Sequence, residues 1–457
     1  MTSILSGFDA VQQALAAQQF ALSVTQRNVA NANNEFYTRQ DVVFTDVAQT
    51  GESAVHIQVF RNRYIDYSIS RESQYLGEQE VASDALQQID AIMNETGGSG
   101  LQEALSGFFG SFSALSATPE DRTLRQQVLA RATALVSTFQ RAYRAVQQVQ
   151  VSENSAVEGT VDEINAIASR IASLNPKVAA AHASGSPDEF ALRDDRRQLL
   201  DALSGLMDVA YFETETGSVT VTTRQGGLLV AEDQTYALEL CALPDSAFAG
   251  IQLGGADITS TIQSGKLGGL LKMRDGQIAS YLTALDDLAA TLIARVNEQH
   301  REGFDLDGEA GGDFFTPFTQ TVAGSNTGAA LTLEVALSDG RQIAASASGS
   351  VGESENAKRL FGIRDEALFA LSTQTAVQFY AGLIYQIGSD GSLAEEGVAT
   401  QKGVLEQLKN QRDAISGVDL NEEAANLIKY QKAYQASARF ANVLDLLTDD
   451  ILQLLGA

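Results

Sequence analysis

Apolar side chains near the start of the chain fall at Ile4, Phe8, Val11, Leu15, Leu22 and Val29, a 4-3-4 rhythm whose other slots are Gln18, Thr25 and Ala32. That is a heptad seam with polar interruptions, and it predicts a long amphipathic helix. From Met1 to Asn34 the only charged residues are Asp9 and Arg27. A helix bathed in water normally carries charges on its outer face, so this one reads as surrounded by protein on several sides. At the far end Leu427, Tyr430, Tyr434, Ala441, Leu444, Ile451 and Leu455 share a seam that Leu447 and Leu454 widen. Such terminal helices are marginal alone, because helix stability in proteins comes mostly from packing. The two ends are therefore expected to pair.

More helix lies between them. Leu76, Leu86, Ile89 and Met93 mark one segment, and Leu101, Leu105, Phe108, Phe112 and Leu115 another. Thr118-Pro119-Glu120-Asp121 reads as a helix start, with Thr as cap, Pro in the first turn and acids at the positive end of the dipole. The helix it opens runs through Leu124, Val128, Leu135, Phe139 and Tyr143. Ser186-Pro187-Asp188-Glu189 repeats that start, and Ile278, Leu282, Leu285, Leu292 and Val296 form a later seam. The period changes to two between about Asp208 and Ile262, where Val219 and Val221 alternate and Gly226-Gly227 and Gly254-Gly255 punctuate. Leu331, Leu333, Val335 and Leu337 alternate again before Ser338-Asp339-Gly340.

The expected fold is mainly α with inserted β: paired N- and C-terminal coiled-coil helices, a helical stalk, and small antiparallel β insertions. Residues 1–40 and 416–457 form the terminal helical domain in this reading. Residues 41–206, 264–315 and 353–415 form the stalk, 207–263 a β domain, and 316–352 a short β or loop insertion.

Composition adds mostly exclusions. The formal net charge of −27 repels phosphate backbones, so nucleic acid is not an expected partner. The first residues lack the basic and apolar regions of a cleavable signal, and no run of 18 apolar residues occurs, so no membrane insertion is expected. Cys241 cannot pair within the chain and reads as a small buried hydrophobe; His56, His182 and His300 form no metal cluster. Counted from Asp305, the sixth and twelfth positions of a calcium loop would be Ala310 and Thr316, so Asp305, Asp307 and Glu309 read as a polar turn. Gly265-Lys266-Leu267-Gly268-Gly269 lacks phosphate-loop spacing, and no Gly-x-Ser-x-Gly elbow occurs. No cofactor, metal or catalytic residue is expected.

Asn28-Val29-Ala30-Asn31-Ala32-Asn33 with Tyr37-Thr38-Arg39-Gln40 resembles the N-terminal signature of the axial flagellar proteins, the rod, hook and hook-associated family. The run from Ser416 through Asp419, Asn421, Glu422 and Glu423 to Arg439 resembles the C-terminal partner of that signature. Asn297-Glu298-Gln299-His300, Gly303-Phe304-Asp305 and Gly312-Asp313-Phe314-Phe315 are similar to the hook-associated members at the junction of hook and filament. The segments Glu103 to Leu115, Glu163-Ile164-Asn165 and Leu174-Asn175 fit them too. Where the family has Thr-Pro-Gly before the Tyr, this chain has Asn34-Glu35-Phe36. Asn34 is the residue expected to supply a left-handed turn there.

The resemblance implies a structural protein without enzymatic activity. It implies secretion unfolded through the flagellar export apparatus, with an export chaperone on the C-terminal helix beforehand. It further implies a ring of copies whose inner tube is the paired terminal helices, placed between hook protein and a second hook–filament junction protein. The assembly interface is expected along Ile4, Phe8, Val11, Leu15, Leu22, Asn28, Asn31 and Asn33, and along Leu427, Tyr430, Tyr434, Leu444, Ile451 and Leu455. Its burial is expected between subunits rather than within one. A hook, rod or second junction subunit would lack the His300 to Phe315 segment. A wall hydrolase would need a recognisable acid–base pair, and a coiled-coil signalling protein a membrane span.

Overall fold

A computed structural model describes residues 2–47, 51–93, 100–244, 246–369 and 373–455, with side chains except at 2–5, 45–47, 51–55 and 451–455. The stalk is built on α2 (Arg63–Met93), α3 (Leu101–Ala117), α4 (Arg122–Ser184) and α5 (Asp188–Leu206). To these are added α6 (Gly265–Lys272), a π turn (Met273–Gln277), α7 (Ile278–Arg301) and α10 (Ala376–Ser416). Its apolar seams meet in one continuous core: Leu86, Ile89, Leu105, Phe108, Phe112, Leu135, Phe139, Leu285 and Val296 are all essentially inaccessible. Helix α4 alone is 63 residues, about 95 Å at 1.5 Å per residue. It begins later than Thr118 and Pro119 suggest. Asp121 is the cap, its carboxylate accepting from the backbone N–H of Thr123 and Leu124, while Thr118 closes α3.

Two small antiparallel sheets sit beside α4. One has the order β3 (Val209–Glu213), β4 (Val219–Thr223), β5 (Leu228–Ala231), β6 (Gln234–Thr235), and the other β7 (Leu238–Ala242), β8 (Ala249–Leu253), β9 (Ala256–Asp257). Each is docked by an asparagine of α4. Asn175 donates to Val219 O and Glu232 O and accepts from Val219 N. Asn165 donates to Leu238 O and accepts from Leu238 N. A side chain that satisfies both edges of a strand end fixes where the sheet sits on the helix, since buried backbone groups must be paired. The chain then re-enters helix through Gly265, whose φ of 76° suits glycine and whose absent side chain avoids the backbone of Met207.

Several expectations are corrected. Residues 41–59, assigned to the stalk with no helix read there, belong to the hairpin β1 (Gln40–Val47) and β2 (Gly51–Val59), which packs against the first helix. The alternation at 331–337 does not make a sheet: α8 (Ala329–Thr332) occupies its start, and only the isolated Phe315–Val335 bridge follows. Leu331 and Leu333 serve the stalk core instead. A short α9 (Glu355–Gly362) closes that segment. Cys241 is half-buried on β7, not buried. Asp305 does form a polar turn, accepting from the N–H groups of Asp307 and Glu309.

Candidate assembly interface

The terminal helices are α1 (Thr2–Ala30) and α11 (Leu420–Leu455). They run antiparallel: Leu444 lies against Gly7, Gln19 donates to the Tyr434 hydroxyl at 3.3 Å, and Tyr430 shares a small core with Ala21, Val24 and Val42. Phe44 of the hairpin stacks at a tilt on Tyr430, with centroids 5.9 Å apart. The pair is thus partly covered within a single chain.

Burial follows a seam shifted from the one read in the sequence. Val11, Ala17, Gln18, Ala21, Val24, Thr25 and Asn28 are buried, whereas Phe8, Leu15 and Leu22 are half-buried and Val29 is exposed. Small and polar side chains line the contact because the hairpin and α11 both press on α1, and bulk would hold them apart. On α11, Tyr430 is buried, Leu427, Tyr434 and Leu444 are half-buried, and Leu447 is exposed. The side chains of Ile4, Ile451 and Leu455 lie outside the described residues.

The sequence reading missed a second apolar face on α11. Ile428, Phe440, Val443, Leu446 and Leu447 are 48–65% exposed. At 100° per residue Ile428, Val443 and Leu446 point well away from Tyr430, Tyr434 and Leu444, while Phe440 and Leu447 flank Leu444. The seam expected from Leu427 to Leu455 includes Leu447 at its margin, and the structure adds Ile428, Phe440, Val443 and Leu446 beyond it. The outward face of α1 is different in kind: Gln12, Ser23 and Gln26 are exposed there.

The two signature segments meet as a joint. Asn28 donates to Gln40 O at 2.8 Å, while its side-chain oxygen accepts from the Tyr37 hydroxyl at 2.7 Å and from Gln40 N. Burial pushes the Tyr37 phenol up to about 12, so it remains a donor. Thr38 gives its N–H and hydroxyl to the Asp194 carboxylate of α5. Arg39 bridges Glu423 at 2.8 Å and Glu422 at 2.6 Å on α11. Arg197 donates to Phe36 O, and Arg412 to Glu35 O. The Glu35 carboxyl is held below its usual range chiefly by the hydrogen bond from Lys409. Asn28 is therefore an internal joint residue. Asn31 caps back onto Arg27 O, and Asn33 is exposed on an open polar cleft of about 820 Å³ shared with Asn31, Arg39, Asp419 and Glu422. Asn34 does not adopt the left-handed conformation. Its side chain accepts from Phe36 N instead, an Asx turn that replaces the glycine.

The interior signature is a second set of pins. Asn297 accepts from the N–H groups of Phe314 and Phe315 and donates to Phe315 O. His300 is fully buried; its Nδ1–H donates to Gly312 O at 2.7 Å and its Nε2 accepts from Ala344 N at 2.9 Å. Burial lowers its pKa, so the ring is neutral. Phe314 lies edge-on to it and to Phe315, within a cluster that includes Phe108 and Phe112. A Cβ on Gly311 would collide with His300 O. Among the described residues no group of His, Cys, Asp and Glu could hold a metal ion, and no helix is long and apolar enough to cross a membrane.

Residues 86–315 match the model of the flagellar hook-associated protein FlgK helical domain. The chain belongs to this family. Residues 410–454, which include most of α11, match the flagellar basal body rod FlgEFG protein C-terminal model. The chain is 29% identical to flagellar hook-associated protein 1 of Bacillus subtilis, across 100% of this chain and 99% of that protein. It is 24% identical to the Escherichia coli protein of that name, across 96% and 98%. The structure of the flagellar hook junction protein FlgK from Burkholderia pseudomallei shares the fold, with a TM-score of 0.68 over 76% of this chain and all of that one at 17% identity. As a member of a family of flagellar structural proteins, the chain is a flagellar hook-associated protein.

Proposed function

We propose that the chain joins hook to filament as a structural subunit with no substrate, and assembles as a ring through the outward faces of α1 and α11. The observation that carries this reading is the exposed apolar stripe Phe440, Val443, Leu446 and Leu447, with Ile428 further along α11, which α1 and the hairpin leave uncovered. Uncovered apolar side chains in a row gain roughly 1.5–3 kcal/mol each when buried, and contacts between unlike faces propagate around an axis without pairing off as a dimer. The half-buried Leu15 and Leu22 on α1 widen the available surface. Hook protein on one side and the second hook–filament junction protein on the other are the neighbours this placement requires. The same stripe on α11 is the surface an export chaperone would cover before secretion through the flagellar export apparatus to the extracellular flagellum.

A strain lacking the chain is expected to carry hooks without filaments and to lose flagellin to the medium. Complementation with Phe440→Asp or Leu446→Asp should leave that phenotype in place although the purified variants melt like wild type. Filaments on the hooks of both variant strains would remove the stripe from the interface.

A further inference from the structure

The terminal unit and the stalk meet without a shared core. Among the described residues no helix or strand of the terminal unit packs along a stalk helix, and the apolar cluster of each closes without the other. The chain crosses between them twice, at 60–62 and at 417–419. The crossings lie side by side, because the Ser416 hydroxyl donates to Phe60 O at 2.7 Å. Two short links meeting at one place make a pivot, and units without a large apolar interface move relative to one another by default.

Segment 35–39 opposes that motion. Its residues alternate in direction, as successive residues of an extended chain do. The Tyr37 and Arg39 side chains go to the terminal unit, to Asn28 of α1 and to Glu422 and Glu423 of α11. Phe36 O and the Thr38 hydroxyl go to the stalk. There two arginines, 4% and 2% exposed, take consecutive carbonyls: Arg412 of α10 donates to Glu35 O at 3.0 Å, and Arg197 of α5 to Phe36 O. Arg197 also donates to the Thr38 hydroxyl at 3.3 Å. A buried charged donor that loses its acceptor is costly, so this grip resists opening. Glu35 stands where the family has Pro and adds an ion pair to Lys409 at 2.6 Å. Both partners are nearly half exposed, so that addition is small.

We propose that residues 35–39 are a latch that fixes the angle between the terminal unit and the stalk. Arg197 and Arg412 are its positioning residues on the stalk side, and Arg39 on the terminal side. With the latch open, the paired terminal helices swing as one body about 60–62 and 417–419. The proposal does not depend on which face of α11 meets a neighbouring subunit.

The test is double electron–electron resonance on the full-length protein carrying Cys241→Ser. Spin labels at Ser169→Cys of α4 and Ala436→Cys of α11, both exposed positions, span the joint. Labels at Ser23→Cys of α1, also exposed, and Ala436→Cys stay within the terminal unit. With the latch intact the distance across the joint should form a single narrow peak. Arg39→Gln and Arg412→Met should each replace it by a broad distribution, while the pair within the terminal unit keeps its peak and the stalk keeps its melting temperature. Arg39→Gln leaves the buried stalk side chains untouched, so it decides the matter even where Arg412→Met fails to fold. A narrow peak across the joint in Arg39→Gln would overturn the proposal, as would a broad distribution with the latch intact. So would broadening within the terminal unit, which would mean fraying rather than a swing.

Discussion

The stalk and the terminal unit use similar helices to different ends. In the stalk, amphipathic faces find partners within the chain, and its largest core side chains, Phe108, Phe112, Phe139 and Phe314 among them, are completely buried. In the terminal unit the buried cluster consists of Ala21, Val24, Val42 and Tyr430, while α11 leaves Phe440 and Leu446 more than half exposed. The stalk thus buries its apolar faces within the chain, whereas the terminal unit leaves apolar side chains of α11 uncovered. Substitutions should divide the same way, between those read as stability and those read as assembly.

The largest effect is expected at the aromatic cluster. Phe108→Ala should destabilise the isolated protein by about 3–5 kcal/mol, measured by denaturant unfolding, and impair assembly only as a consequence. An unchanged midpoint would mean that the stalk core is not the stable part. His300→Ala comes next. It strands Ala344 N and Gly312 O in a dry site and should cost about 2–3 kcal/mol. The sequence pattern alone assigns His300 no role, and equal stability of the variant would restore that view.

Leu15→Asp should sharpen the contrast from the other side. Leu15 is half-buried, so the stalk transition should keep its melting temperature, while the protein reaches the medium with flagellin beside it and no filament forms. A drop of several degrees would place Leu15 in the internal core. Hydrogen exchange on the dilute monomer should show fast exchange over residues 1–40 and slow exchange over 120–206. Strong protection at both ends would erase the distinction.

The smallest effect concerns Glu153 of α4. It is 8% exposed with one carboxylate oxygen unpartnered, and burial first, then the field of Asp84, raises its pKa from 4.5 to about 7. The folded state therefore holds a proton that the unfolded chain releases, and stability falls as pH rises through the window from 4.5 to about 7. Glu153→Gln should match wild type near pH 4 and melt about 1–3 °C higher at pH 8. A pH-independent difference would sink this account.

Much of the stalk was legible because its signal is local. Leu101, Leu105, Phe108, Phe112 and Leu115 recur at helical spacing, and all are buried. The hairpin at 40–59 was not, because its strands are stabilised by contact with α1 and by the clasp of Asn28 on Gln40. Those contacts span residues that no periodicity links. The start of α4 was misplaced for a related reason. Thr118 and Asp121 are both good caps, and only the end of α3 decides between them. In the candidate interface Phe8, Leu15, Leu22, Leu427, Tyr434 and Leu444 lie half-buried, whereas Asn28 turned inward and, of the outer stripe of α11, only Leu447 was read.

The sequence by itself determined the two long terminal helices, the helical stalk with β inserted, and the kinship with axial flagellar proteins. Heptad spacing and turn chemistry are short-range and survive in the order of residues. Only the tertiary structure decided which side of each terminal helix faces inward. A helix carries apolar residues on more than one side here, and the side that is used depends on what approaches it. The hairpin and α11 press α1 along its alanines and polar slots, and that choice leaves the larger hydrophobic groups of α11 facing out.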